Sequence, residues 1–422
     1  MRTRIPITAI LSVLLALAGC AERAPEGATA LRAARLYIAP DRPAINDAAV
    51  VIVAGRITAV GSWSQTVTKG AARLPHCDGG TIAAGFQNSH VHFTESKFAG
   101  ATRKQATELE SALEEMLTRY GFTTVLDTGS DIDNTAALRA RIDGGEIAGP
   151  RILTAGIPLY PQNGIPIYLR DLPREFLAKL PQPATVEQAL AHVQSNLDRG
   201  ADATKLFVMT PQDRGRYAHM NPEIALAAAD ETHRRGLPVL AHPTDIEGIE
   251  LAIEAGVDVL VHTTIGKGKT VWEPALVEQL ISKNMALVPT LQLWPYELKR
   301  AKLEPRIIEL ATGDAIEQLR VFSAAGGEVL FGTDVGYTTA YDPTEEYRLM
   351  ARALKPMQIL ASLTTAPAAR WKEEGRRGRV ERGMDADLVV LDADPAADPA
   401  NFANVRCTMR GGRIIHGPEG DR

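Results

Sequence analysis

A chain of 422 residues with 45% hydrophobic and 23% charged residues is long enough to bury a large core in more than one layer, and it is no disordered or low-complexity polymer. Its 46 basic and 51 acidic residues leave a formal net charge of −5. The two signs are mixed and no basic-aromatic stripe occurs, which argues against a nucleic-acid groove.

The chain opens with Arg2 and Arg4 ahead of an apolar run from Ile7 to Ala18, too short for a convincing membrane span. The run ends at Leu17-Ala18-Gly19-Cys20, so residues 1–20 read as an export signal. Leu-Ala-Gly-Cys resembles the bacterial lipoprotein cleavage box, which implies lipidation of Cys20; an ordinary secretory signal is the alternative. Ala21 and Glu22 follow in place of an aspartate, which implies delivery to the outer membrane, facing the periplasm or the surface. Membrane contact is then expected only through the lipid. Residues 21–33 are small and polar and read as a tether. Only Cys77 and Cys407 would remain, in a compartment where disulfides persist. Sequence leaves open whether they bridge or stay as two buried thiols.

Residues 34–81 hold short β-type runs, LYIA and AVVIVAGRITAVG. The same texture returns in 371–422, in ADLVVLDADP and NVRCTMRGGRIIHG, so both ends are expected to build one small β domain. Between them, over 82–370, apolar strand-like runs fall at 82–88, 122–126, 150–154, 203–208, 237–241, 257–261, 286–290 and 328–332. Helical periodicity separates most of them, as in TVEQALAHVQSNLDRG and PALVEQLISKN, and Asn221-Pro222-Glu223 carries an N-cap, a first-position proline and an acid. Eight such units predict an α/β chain folded as a (β/α)8 TIM barrel. A doubly wound open sheet is the alternative, but no glycine-rich dinucleotide loop follows the first strand. No G-x-S-x-G elbow occurs either, which argues against an α/β-hydrolase.

A barrel presents its chemistry at the C-terminal ends of its strands. The first run closes in His90 and His92, which would face one side of an extended chain. The fourth carries Lys205, the fifth ends in His242, the sixth in His262 and the eighth in Asp334. His192, His219 and His233 fall in helices and loops, as chance would have it. A lone histidine is more often structural than ligating; five strand-end ligands on one rim point to a metal site.

This pattern resembles the amidohydrolase superfamily: H-x-H after strand one, lysine on strand four, histidines after five and six, and Gly332-Thr333-Asp334 after strand eight. The closing TTAPAARW…GRVERGMDADLVVLDADP is similar to that family's entry into a β-sandwich built from both chain ends. The closest likeness is to imidazolonepropionase-like and prolidase-like members, which act on small amides, dipeptides or lactams. The resemblance implies His90, His92 and Asp334 on one divalent metal, with His242 and His262 on a second. A carboxylated Lys205 would bridge the two, since an ammonium has no acceptor to offer. Zinc suits the donors, with manganese, nickel, iron or cobalt as alternatives. The expected reaction is hydrolysis of amide-type C–N bonds in a dipeptide, N-acyl amino acid or cyclic amide, by a metal-activated hydroxide with Asp334 as proton shuttle. A mononuclear hydrolase or deaminase with Lys205 free, and a non-catalytic surface lipoprotein, are the other readings; homo-oligomerisation is left open.

The chain departs from the family pattern in three places. Ala84-Gly85-Phe86-Gln87-Asn88-Ser89 stands where P-G-x-x-D is common, and His262-Thr263-Thr264 replaces an E-H-G context. His242-Pro243-Thr244-Asp245 lacks the glutamate of deaminase relatives. Substrate contacts are expected from Glu95 and Lys97 beyond H-x-H, from Tyr160 and Tyr168 in the long loop 155–182, and from Trp294 after strand seven.

Overall fold

The computed structural model describes residues 23–170, 174–213, 216–243, 245–265 and 271–418. The export signal and Cys20 lie outside the described residues. Among the described residues no helix is long and apolar enough to cross a membrane.

Both chain ends meet in one eight-stranded sheet. Its order is Arg413–His416, Val405–Arg410, Leu388–Leu391, Thr81–Ala84, Thr29–Leu36, Ile45–Val53 and Arg56–Ser62, with the short Ala72–Arg73 beside Thr29–Leu36. The first strand thus starts at Thr29, inside the stretch read as a tether. Alternate residues of these strands, including Leu31, Val50, Ile82, Leu388 and Val390, share one apolar core. Cys77 and Cys407 are bonded across it, with Cα atoms 5.8 Å apart and 330 residues between them in sequence. The bridge that sequence left open is therefore present.

The run expected as one strand over 82–88 is divided. Gly85 N donates to Asp387 O at 2.8 Å, while Phe86 N donates to Gly121 O at 3.0 Å, so the chain changes sheets between these residues. A Cβ at Gly85 would lie 2.3 Å from Thr123 Oγ1, so only glycine fits the crossing.

Eight parallel strands follow: β1 (Phe86–Val91), β2 (Phe122–Asp127), β3 (Arg151–Thr154), β4 (Thr204–Phe207), β5 (Val239–His242), β6 (Val259–Val261), β7 (Ala286–Val288) and β8 (Glu328–Val329). They lie in two arcs, β1-β2-β3 and β4-β5-β6-β7-β8. Parallel bridges Leu159↔Leu206 and Val91↔Val335 join the arcs at both seams. Backbone bonds from Ser89 N to Phe331 O (2.7 Å) and from His92 N to Val335 O (2.8 Å) reinforce the second seam. The expected closed barrel is thus resolved as two parallel arcs with bridged seams rather than one continuous ladder.

Alternation sorts the side chains. Leu126, Leu153, Leu240, Val259, Val261, Val288 and Leu330 form an inner cluster. Their neighbours Val125, Ile152, Val239, Leu260, Leu287 and Val329 pack outward with the helices. Those helices include Ala106–Met116, Ile132–Asp143, Val186–Asp198, Pro222–Arg234, Ile246–Glu254 and Pro305–Ala324. Asn221 caps Pro222–Arg234 as its sequence predicts, its side chain accepting from Glu223 N at 2.8 Å. An antiparallel hairpin, Met209–Asp213 with Arg216–His219, follows β4 and was not foreseen.

Candidate metal centre

Lys205 pairs with Leu240 in the β4–β5 register, so it shares the inner face with that leucine. His242, two residues beyond Leu240, shares it by the same alternation. His262 follows Val261 and would by alternation point outward. Its left-handed backbone, φ 78°, breaks the alternation. Asp334, φ 61°, does the same beyond β8.

The five strand-end ligands and Lys205 converge. His90 Nε2 is 3.2 Å from His92 Nε2 and 3.2 Å from Asp334 Oδ1. His92 Nε2 is 3.0 Å from the same oxygen, and His262 Nε2 is 3.9 Å from Asp334 Oδ2. The His262 ring centre lies 4.8 Å from that of His90 and 4.7 Å from that of His242. His242 stacks on Phe207, and Phe207 on Tyr160. The Lys205 amine lies 5.6 Å from the Phe207 ring centre.

Donor chemistry tests whether a metal fits. Asp334 Oδ1 is buried and makes no hydrogen bond, although two imidazole nitrogens stand within 3.2 Å of it. Ligands bound at about 2.0–2.2 Å stand about 3.0–3.4 Å apart at octahedral to tetrahedral angles. The observed 3.0–3.2 Å spacings match. His90, His92 and Asp334 therefore form a group able to bind a metal, the donor atoms lying within 4.8 Å of one another. His242, His262 and Lys205 adjoin it without joining that tight group.

Electrostatics keeps most of the imidazoles in the ligating form. Burial lowers His90 to about 4 against the pull of Asp334, and lowers His242 to about 3 with help from the Lys205 charge. Burial also takes His262 well below its usual value. His92 is raised, because burial is outweighed by the Asp334 carboxylate. Burial opposes ionisation of Asp334 too, but His90 foremost holds its carboxyl well below the ordinary range. Burial brings Lys205 down to about 7, against the attraction of Asp334.

Partners behind the ligands fix their orientation. His92 Nδ1 meets Gly129 O at 2.9 Å, and His262 Nδ1 meets Thr290 Oγ1 at 2.5 Å. Beneath Gly129, the buried Asp127 accepts from Ser130 Oγ (2.6 Å), Thr154 Oγ1 (2.9 Å), Thr135 Oγ1 (3.1 Å) and Gly129 N (3.2 Å). Sequence reasoning missed Asp127 and Thr290. Both close or follow strands, so the strand-end rule would have found them had it not been confined to candidate metal ligands.

The candidate substrate contacts are placed unevenly. Tyr168 packs edge-on against Tyr337, ring centres 5.5 Å apart, and Tyr337 Oη donates to Glu297 at 3.0 Å. Tyr337, against which Tyr168 packs, lies three residues after Asp334 in the chain. Tyr160 is buried behind Phe207. Trp294 is buried with its Nε1 donating to Thr263 Oγ1 at 2.7 Å, its ring 6.1 Å from His262. Lys97 donates to Glu115 at 2.9 Å and to Tyr341 Oη at 2.8 Å, and Tyr341 donates to Glu95 at 2.5 Å. Glu95 and Lys97 thus face each other and Tyr341.

Solved structures share this fold. A Xaa-Pro dipeptidase with methionine bound in its active site superposes with a TM-score of 0.76 at 21% identity, covering 93% of this chain and 100% of its own. Ochratoxinase from A. niger superposes at 0.75 with 22% identity, covering 94% and 99%. A putative prolidase from Bifidobacterium longum superposes at 0.73 with 24% identity, covering 93% and 95%. No curated protein sequence matches significantly. A model of the amidohydrolase family matches residues 81–415, most of the chain, and with the strand-end histidines and aspartate in place the chain belongs to that family.

Proposed function

We propose that this protein is a metal-dependent hydrolase of amide-type C–N bonds in small substrates: dipeptides, N-acyl amino acids or cyclic amides. The observation that carries the reading is the buried, unbonded Asp334 Oδ1 set between His90 and His92. The bridged arcs are read as a (β/α)8 barrel and the sheet from both chain ends as its small β-sandwich-type domain. His90, His92 and Asp334 would hold one divalent metal, His242 and His262 a second, and a carboxylated Lys205 both; zinc suits the donors. Bound metal supplies an activated water and a Lewis acid for the carbonyl. Asp334 would take a proton and deliver it to the leaving nitrogen. His92 is held in place through Gly129 and His262 through Thr290. Tyr168, packed against Tyr337, is taken as a wall of the substrate pocket.

Amide hydrolysis is favoured over deamination because no glutamate follows His242 closely, where Pro243 and Asp245 stand. The related dipeptidase and prolidase suggest dipeptides first. The same reading takes residues 1–20 as a signal and Cys20 as a lipid anchor that holds the enzyme at the outer membrane, facing the periplasm or the surface.

The test is release of free amine from a library of dipeptides, N-acyl amino acids and lactams by zinc-loaded protein beside Asp334→Asn. Turnover of one class, lowered about 10³-fold or more in the variant, is the expected result. Equal rates in both proteins, or no turnover of any class, would refute the proposal.

A further inference from the structure

Behind the ligands lies a carboxyl that the chemistry above does not use. Glu346 is 0% exposed and sits in the first turn of the helix Thr344–Ala351. One of its oxygens accepts from Leu291 N at 2.9 Å and the other from Gln292 N at 2.7 Å. Among the described residues no cation offsets its burial, which pushes the carboxyl up to about 8; the groups acting on it are these two amides and the like charge of Glu345. A buried carboxyl without a counter-ion is costly. Its two bonds run to another element, the turn after β7, and not to its own helix.

That turn reaches the metal ligands. Thr290, held at φ 44°, presents Oγ1 to His262 Nδ1 at 2.5 Å. Gln292 Nε2 donates to Thr333 O at 3.1 Å, one residue before Asp334. Thr333 Oγ1 in turn accepts from Asn88 Nδ2 at 2.7 Å, and Asn88 Oδ1 accepts from His90 N at 3.1 Å. One carboxyl therefore fixes a turn from which hydrogen bonds run to three ligand-bearing segments.

We propose that Glu346 is a positioning residue for the metal centre, holding the 290–292 turn so that His262 and Asp334 keep their ligating orientation. The inference rests on the metal-centre reading given above. A glutamine has the same shape but must turn its NH₂ towards one of the two backbone amides, so Glu346→Gln breaks one of the two bonds.

The experiment is cobalt(II) titration of the full chain, wild type beside Glu346→Gln. It follows the visible absorption bands and competition with a chromophoric chelator, with melting curves of the metal-free proteins as control. The expected result is cobalt affinity weakened about tenfold or more, altered visible bands and a melting temperature within a few degrees of wild type. Unchanged affinity and bands in Glu346→Gln would overturn the inference while leaving the metal centre intact. A wild type that takes up no cobalt would overturn the metal-centre reading and this inference with it. Should Glu346→Gln fail to fold, Thr290→Val carries the test, since it removes the hydroxyl facing His262 and leaves the carboxyl alone. Weakened binding with altered bands would support the relay, and wild-type behaviour would overturn it.

Discussion

His262, Thr290 and Asp334 hold left-handed backbone conformations at φ 78°, 44° and 61°. Such conformations cost about 1–3 kcal/mol each in a non-glycine residue and cluster where function needs a side chain re-aimed. Lys205 carries a different cost. Burial above all brings its folded pKa down to about 7, below the ordinary lysine value of about 10.5. Below the folded value the amine is charged in both folded and unfolded chains, and the penalty is full. Between the two values the unfolded chain binds the extra proton, so stability rises with pH and the penalty is gone above the upper one. Metal-free Lys205→Met should therefore be more stable than metal-free wild type by up to about 5 kcal/mol near pH 6, and by much less near pH 10. Calorimetry across that range checks it; a difference independent of pH would show that burial does not oppose the charge. The depressed value also leaves a neutral amine near neutrality, as carboxylation requires.

At the scale of elements, the β-branched and aliphatic runs made most strands readable, and β4, β5 and β6 fall within two residues of their expected bounds. Two elements were not readable from local sequence. The crossing at Gly85 depends on Thr123, which lies far away in the chain. β8 ends at Val329 rather than 332: Leu330 N still donates to Leu287 O of β7, but Phe331 N donates to Ser362 O, outside the sheet. The candidate ligands were legible because they follow a rule of position, the C-terminal strand end, whereas Tyr337 and Tyr341 lie in a loop that no periodicity marks. That loop is held tightly at Gly336, φ 94°, where a Cβ would stand 1.9 Å from His92 O. Gly336→Ala should cost about 1–3 kcal/mol in urea unfolding and weaken metal binding by displacing the H-x-H strand end. Wild-type values for both would show that the loop yields without moving His92.

For the whole molecule, repeated β texture at both ends foretold that they would meet, but the strand order could not be read. Thr81–Ala84 pairs parallel with Thr29–Leu36 and antiparallel with Leu388–Leu391, a choice made by tertiary packing. The Cys77–Cys407 bond spans 330 residues and ties distant parts of the chain together at one sheet. Chain-entropy reasoning assigns such a long loop about 6 kcal/mol. Cys77→Ser with Cys407→Ser should melt several degrees lower than wild type, and a reductant should lower wild type alike while leaving the double variant unmoved. Equal melting of the two oxidised proteins would remove the bridge from the account of stability.

A metal pair held by His90, His92, Lys205, His242, His262 and Asp334 is tested by counting metal. The purified protein, grown with zinc and bicarbonate, is analysed by plasma mass spectrometry beside Asp334→Ala and Lys205→Ala. About two metals per wild-type chain are expected, falling to one or none in each variant. One metal in wild type and in Lys205→Ala would reduce the centre to His90, His92 and Asp334, and no metal in any of the three would contradict the account.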